Sequence, residues 1–186
     1  MALLRVAHAD FACWLLAKRR KVMKLTLKKI LALVAGGLAV IAFIMAFVSP
    51  LKNDAANISA KASEVWFEDG GTIIPFIAFI LALLAGAYLI VRQFINVPAD
   101  KKLFWVAIAL LVVAAVVIFL TETLYINSWV NYMVDISPMK PTAAQIAQQK
   151  EFMAESLSLG TGALLGGILA IASAACAVVA EKFIKD

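Results

Sequence analysis

Four uninterrupted apolar runs, Ile30 to Val48, Ile73 to Val91, Leu103 to Leu120 and Leu159 to Ala180, constrain this chain more than any other feature. Each is close to the roughly 20 residues that an α-helix needs to cross about 30 Å of hydrocarbon. Lipid offers no hydrogen-bond partners to open backbone, so all four are expected as helices. With 64% of the 186 residues hydrophobic and a mean hydropathy of +0.95, too little polar chain remains for a soluble protein. The expected class is an all-α integral membrane protein, a four-transmembrane-helix bundle carrying a small helical ectodomain.

The runs divide the chain into a basic segment over 1–29, spans over 30–48, 73–91, 103–120 and 159–180, a first outer loop over 49–72, an inner loop over 92–102, an outer helical hairpin over 121–158, and a tail over 181–186. With the N-terminus inside, only Lys52, Lys61, Lys140 and Lys150 of the 17 basic residues fall outside. Most acidic residues lie on that outer side. Both termini are therefore expected in the cytoplasm of a multi-pass plasma-membrane protein. Small size and the lack of an organelle signal favour a bacterial cell membrane.

The pI of about 9.3 does not imply nucleic acid, because the positive excess is concentrated in "KRRKVMKLTLKK" just before the first span. Lys18, Arg19, Arg20, Lys21 and Lys24 instead suit anionic lipid headgroups, or serve only as a flank that orients the span. Ahead of them, Leu4, Ala7, Phe11, Trp14 and Leu15 share one helical face, as in an interfacial helix. The competing reading is a leader before a natural start at Met23. Read from Met23 the segment looks like a signal peptide, yet its 19-residue apolar run exceeds the roughly 7 to 15 of such a signal, so it is expected as a retained span.

Small residues form three stripes. Ala78, Ala82 and Gly86 line the second span, and Gly162, Gly166, Ala170 and Ala174 line the fourth beside a second row of Ala163, Gly167 and Ala175. The first span adds Ala35, Ala39, Ala42 and Ala46. Such faces let helix backbones approach closely, either within one bundle or between copies. The third span is rich in Val, Leu, Ile and Phe, and is expected to be the most lipid-facing.

The run-on "TETLYINSWVNYMVDI" after the third span has no Gly or Pro at the join, and it places Tyr125, Trp129, Tyr132 and Met133 opposite a polar strip of Asn127, Asn131 and Asp135. Two prolines in "SPMKP" then force a turn, and Thr142 with Gln145 spells a capping box for a returning helix. The aromatic face is expected to be a hairpin seam against Ile146, Met153 and Leu157, or a partner-binding face. In the first loop a short helix after Asn53 would carry Ile58, Ala62, Val65 and Trp66, and Gly70 and Gly71 would stop it. Tetraspanins share the plan of a small first and a larger second loop, but their Cys-Cys-Gly motif is absent here.

Little chemistry is on offer. His8 is the single His, and Cys13 and Cys176 fall outside the two outer loops, so neither a His-based site nor an ectodomain disulfide can be assembled. Glu64 and Glu68, or Glu151 and Glu155, lie one helical turn apart, which fits solvated helix faces better than a cation site. Asn57 opens an N-glycosylation sequon that counts as background. The first three spans hold no charged side chain, which disfavours a pump or coupled transporter. No enzyme, cofactor or metal site is expected. The expected function is a structural, accessory or interaction subunit, bound to membrane lipids and to further copies of itself or a membrane-protein partner. The alternatives are an oligomeric channel or pore, and a lipid or small-molecule binder.

Overall fold

A computed structural model describes residues 27–54, 56–95 and 100–184. The proposed interfacial N-terminal helix, and with it Lys18, Arg19, Arg20, Lys21 and Lys24, lies outside the described residues. Four helices are long and apolar enough to cross a membrane: α1 (Leu27–Ile44), extended by a 3-10 turn at Met45–Phe47, α3 (Ile74–Val91), α4 (Asp100–Phe119) and α7 (Thr161–Lys182). Between α1 and α3 come β1 (Leu51–Asn53), β2 (Ile58–Ser59) and the short helix α2 (Ala62–Phe67). Between α4 and α7 come α5 (Thr121–Ile136), α6 (Ala143–Ser156) and β3 (Leu157–Leu159).

The four long helices form a square in which α1 and α4 occupy opposite corners, each flanked by α3 and α7. Chain order makes every neighbouring pair antiparallel. Small residues set the spacing. A Cβ added to Gly86 would stand 2.5 Å from Cβ of Ala39, and one added to Gly36 would run into Ile90, so α1 and α3 meet nearly backbone to backbone. The ring of Phe79 occupies the space that a side chain at Gly166 would need, carrying α3 across to α7. Inside the square, Ser173 Oγ donates a 2.7 Å hydrogen bond to the Ala35 carbonyl, which satisfies a buried hydroxyl where lipid could not.

The third span is not the most exposed, contrary to its composition. The most apolar stretch of α4 buries 39% of its residues, as much as that of α3, whereas α1 buries 33%. Phe104, Leu111 and Ile118 project inward and fill the volume left by Ala and Gly on the other helices. Bulky residues complement small ones in a close-packed interior, so richness in Leu and Phe does not mark the lipid face.

The all-helical expectation needs a second amendment. A three-stranded antiparallel sheet in the order β2-β1-β3 sits at the end of the bundle opposite the N-terminus of α1. It pairs Lys52 with both Ser59 and Ser158, tying the connection after α1 to the entry of α7. Asn57 turns the β1–β2 corner with φ 52°, a region that Asn tolerates. The first-loop helix is correspondingly shorter than anticipated, with Ile58 in a strand and only Ala62 to Phe67 helical.

At the bundle end where α1 begins, charged residues from three helices meet. Arg92 lies 2.7 Å from Asp100 and 3.2 Å from Glu181, and its guanidinium stacks 4.5 Å above the Phe104 ring. Tyr88 donates to Oδ1 of Asp100 at 2.8 Å. The Arg92 side chain is only 10% exposed, so two carboxylates and an aromatic face replace the water it gives up. Lys28 and Gln93 help to line a cavity of about 280 Å³ beside it.

Candidate interaction surface

Beyond the spans, α5 continues α4 with a single irregular residue. The Leu120 N–H still donates to the Val116 carbonyl, and the Leu120 carbonyl accepts from the Leu124 N–H, so the helix direction is carried through. Buried Thr121 turns its hydroxyl back onto the Ile118 carbonyl at 2.6 Å. A helix of 16 residues alone in water is marginal, and two surfaces support this one.

The first support is the loop before α3. Trp129 and Tyr132 lie over Gly70, which has φ 80°, and a Cβ there would stand 3.0 Å from Trp129 Cδ1 and 3.2 Å from Tyr132 Cδ1. Ser128 donates to the Gly71 carbonyl at 2.6 Å, and the Tyr132 hydroxyl reaches Asp69 at 3.4 Å. Tyr125, lower on the same helix, is half-buried. Its phenol is pushed above the ordinary range by burial first and by the charges of Glu64 and Glu68 second. The aromatic side of α5 thus faces the first loop.

The second support is α6. The box at its start is reciprocal, with Gln145 N–H donating to Thr142 Oγ1 at 3.4 Å and Thr142 N–H to Gln145 Oε1 at 2.8 Å. Ile146, Met153 and Leu157 are half-buried, and no residue of α6 is fully buried. Across the pair, Lys150 donates to Asn127 Oδ1 at 2.6 Å. Asn127 is therefore part of the hairpin contact and not of the water-facing strip that helical spacing assigned to it, while Asn131 and Asp135 are exposed. The strip fails at Asn127 because α5 has neighbours on two sides, which a single polar face cannot express.

Near its base the hairpin touches the sheet. The Asp54 carboxyl is held below its ordinary range, chiefly by the Ser158 hydroxyl and then by Lys52 2.9 Å away. Glu122 is shifted the other way, by burial and then by the charge of Asp54.

At its tip the hairpin is apolar. Met133 belongs with Val134, Ile136, Pro138, Pro141 and Gln149 to a cleft of about 350 Å³ at the turn. Beside it, Ile136 is 54% and Met139 84% exposed. Oily side chains with this exposure, on a segment about 24 Å long at 1.5 Å per residue that leads away from the spans, are not part of a core within the protomer.

The small residues of the helix-packing stripes are, with one exception in the second row of α7, packed inside. Ala78, Ala82, Gly86, Gly162, Gly166, Ala170 and Ala174 are buried among the four long helices. Gly162 meets the Val48 and Met45 carbonyls at the end of α1. Ala175 alone in the second row of α7 is exposed, as Gly167 lies under the Phe119 ring and Ala163 is fully buried. Of the paired glutamates, Glu64 accepts from Lys61 N–H at the start of α2. Sequence reading passed over Tyr88, Asp100 and Glu181, whose separation in the chain hides their convergence on Arg92. Set against protein-family models, curated proteins and solved structures, the chain matches none.

Proposed function

We propose that the chain is a non-catalytic membrane subunit that holds another protein, a further copy of itself or a different membrane protein, against the tip of its hairpin. The observation that carries this reading is the exposure of Met139 and Ile136 beside the Met133–Pro141 cleft. Side chains of this kind stay out of water only if something covers them, and the hairpin directs them away from the bilayer. The interior of the bundle supports a subunit in preference to a pore formed by one protomer, because the bulky side chains of Phe79, Leu89, Leu111 and Ile118 are buried in it. The hairpin is assigned to the outer face and the chain ends to the cytoplasm by the distribution of Lys and Arg, with the basic segment before α1 on anionic headgroups.

A photoreactive amino acid at Met139 tests the proposal in native membranes. The expected result is a discrete cross-linked species heavier than the protomer, absent when the same probe replaces exposed Val113 on α4. Equal cross-linking at both positions, or none at Met139, would remove the tip as the binding surface. An impermeant thiol reagent should label a cysteine at Ser137 in intact cells and not one at Asn96, provided Cys13 and Cys176 are first replaced.

A further inference from the structure

Trp66 is buried on α2, and its indole N–H donates to the Ala46 carbonyl at 2.9 Å, docking the short helix onto the end of α1. The neighbouring Phe67 is exposed. Its ring meets that of Phe76 edge-on at 5.1 Å, and Phe76 in turn meets Phe47 at 6.0 Å, with Phe43 a further 5.5 Å on. Two of these rings are left largely uncovered, Phe47 at 60% and Phe67 at 59% exposure.

What covers them follows from what they adjoin. Ile44, Ile73, Ile74 and Ile77 are exposed on α1 and at the start of α3, so the aromatic patch is continuous with the outward surface of two spans. Lys61 and Glu64 at the start of α2, and Glu68 and Asp69 just after it, place charges beside the rings. A short element that carries exposed rings and charges together suits the boundary between hydrocarbon and headgroups, where aromatic residues collect. The opposite end of the bundle carries a matching set, with Phe94, Trp105 and Phe183 exposed and the Lys182 ammonium 5.2 Å from the Trp105 ring. From Ile74 to Val91 the helix α3 rises about 26 Å at 1.5 Å per residue, close to the roughly 30 Å thickness of a bilayer's hydrocarbon core.

We infer that α2 is a membrane-interface anchor, seated with Phe67 and Phe47 among the lipid headgroups and upper acyl chains of the leaflet on the hairpin side. The occupant of the patch is lipid. The anchor fixes the depth of the bundle and sets the first loop as a platform on which Trp129 and Tyr132 of the hairpin rest. It is independent of whatever the hairpin tip binds.

The test is a nitroxide label at Phe67→Cys in the full chain lacking Cys13 and Cys176, reconstituted into phosphatidylcholine and phosphatidylglycerol vesicles. A second label at Ile73→Cys repeats the measurement at an independent exposed site, and labels at Lys61→Cys and Asn131→Cys report water. The expected ratio of collision with oxygen to collision with a water-soluble nickel chelate is several-fold higher at 67 and 73 than at 61 and 131. Ratios at 67 and 73 equal to that at 61 would overturn the inference, because the patch would then face water. Protection of both labels from both reagents would overturn it equally, since protein and not lipid would be the cover.

Discussion

The Lys150 ammonium donates a 2.6 Å hydrogen bond to Asn127 Oδ1, joining α5 to α6 halfway along a hairpin in which α6 buries no residue completely. The Asn127 amide in turn donates to the Thr123 carbonyl at 2.9 Å, so the side chain is held by its own helix before it meets its partner.

Asn127→Ala should therefore loosen the hairpin. A partly exposed hydrogen bond to a charged group contributes about 0.5 to 1.5 kcal/mol after allowance for solvent. Asn131→Ala, at an exposed position one turn on, should be silent. Thermal unfolding in detergent compares the two, and equal losses would mean that the Lys150 contact contributes nothing.

Gly70 is the point where the first loop and α5 meet. Gly70→Ala adds a methyl group against Trp129 and Tyr132 at a backbone conformation that L-residues disfavour by roughly 1 to 2 kcal/mol. Trp129→Asp removes the same contact from the other side and places a charge against the loop. Both variants should lower the melting temperature, and together they should lower it by less than the sum, because they share one contact.

Packing among the spans gives a sharper contrast. Gly166→Leu forces a branched side chain into the space held by the Phe79 ring, and overpacking of this kind costs about 1 to 3 kcal/mol. Val113→Leu, on the outward face of α4, should change stability hardly at all. The check is the detergent concentration or temperature at which helicity is lost in each variant.

How far the sequence revealed this architecture depends on how local each signal was. The spans, the prolines at the hairpin turn and the Thr142–Gln145 box are contiguous patterns, and the structure has helices that start and stop within a few residues of them. The sheet left no such trace. Strands of two and three residues are too short to show alternation, and Leu157–Leu159 pairs with Leu51–Asn53 across more than half the chain. The Arg92 cluster is invisible for the same reason, since Asp100 is near in sequence but Glu181 is not. For the hairpin, one-sided polarity correctly marked Asn131 and Asp135 as exposed. It misassigned Asn127 because long side chains such as Lys150 can bring a charge to a polar group at a seam.

Acid titration should report on Glu122. Burial, and the Asp54 charge beside it, raise its folded pKa above the unfolded value, so the folded protein binds this proton more tightly than the unfolded chain. The ionised side chain is therefore destabilising above the raised pKa, and that cost disappears as pH falls through it toward the ordinary carboxylate range. Glu122→Gln should melt at a higher temperature than the parent at pH 7, and the two curves should converge on acidification. The Asp54 carboxyl, shifted the opposite way and lost as a stabilising charge at lower pH, is common to both proteins and largely cancels in the comparison.

The central claim is that the hairpin tip binds protein. Its most direct test is the mass of the 20.0 kDa chain extracted with its surrounding native lipid, beside a double variant, Ile136→Asp with Met139→Asp, whose substitutions are confined to exposed positions. The account predicts a defined complex heavier than one protomer for the parent, and a lone folded protomer for the variant. A lone protomer in the parent, or a complex that survives both substitutions, would contradict it.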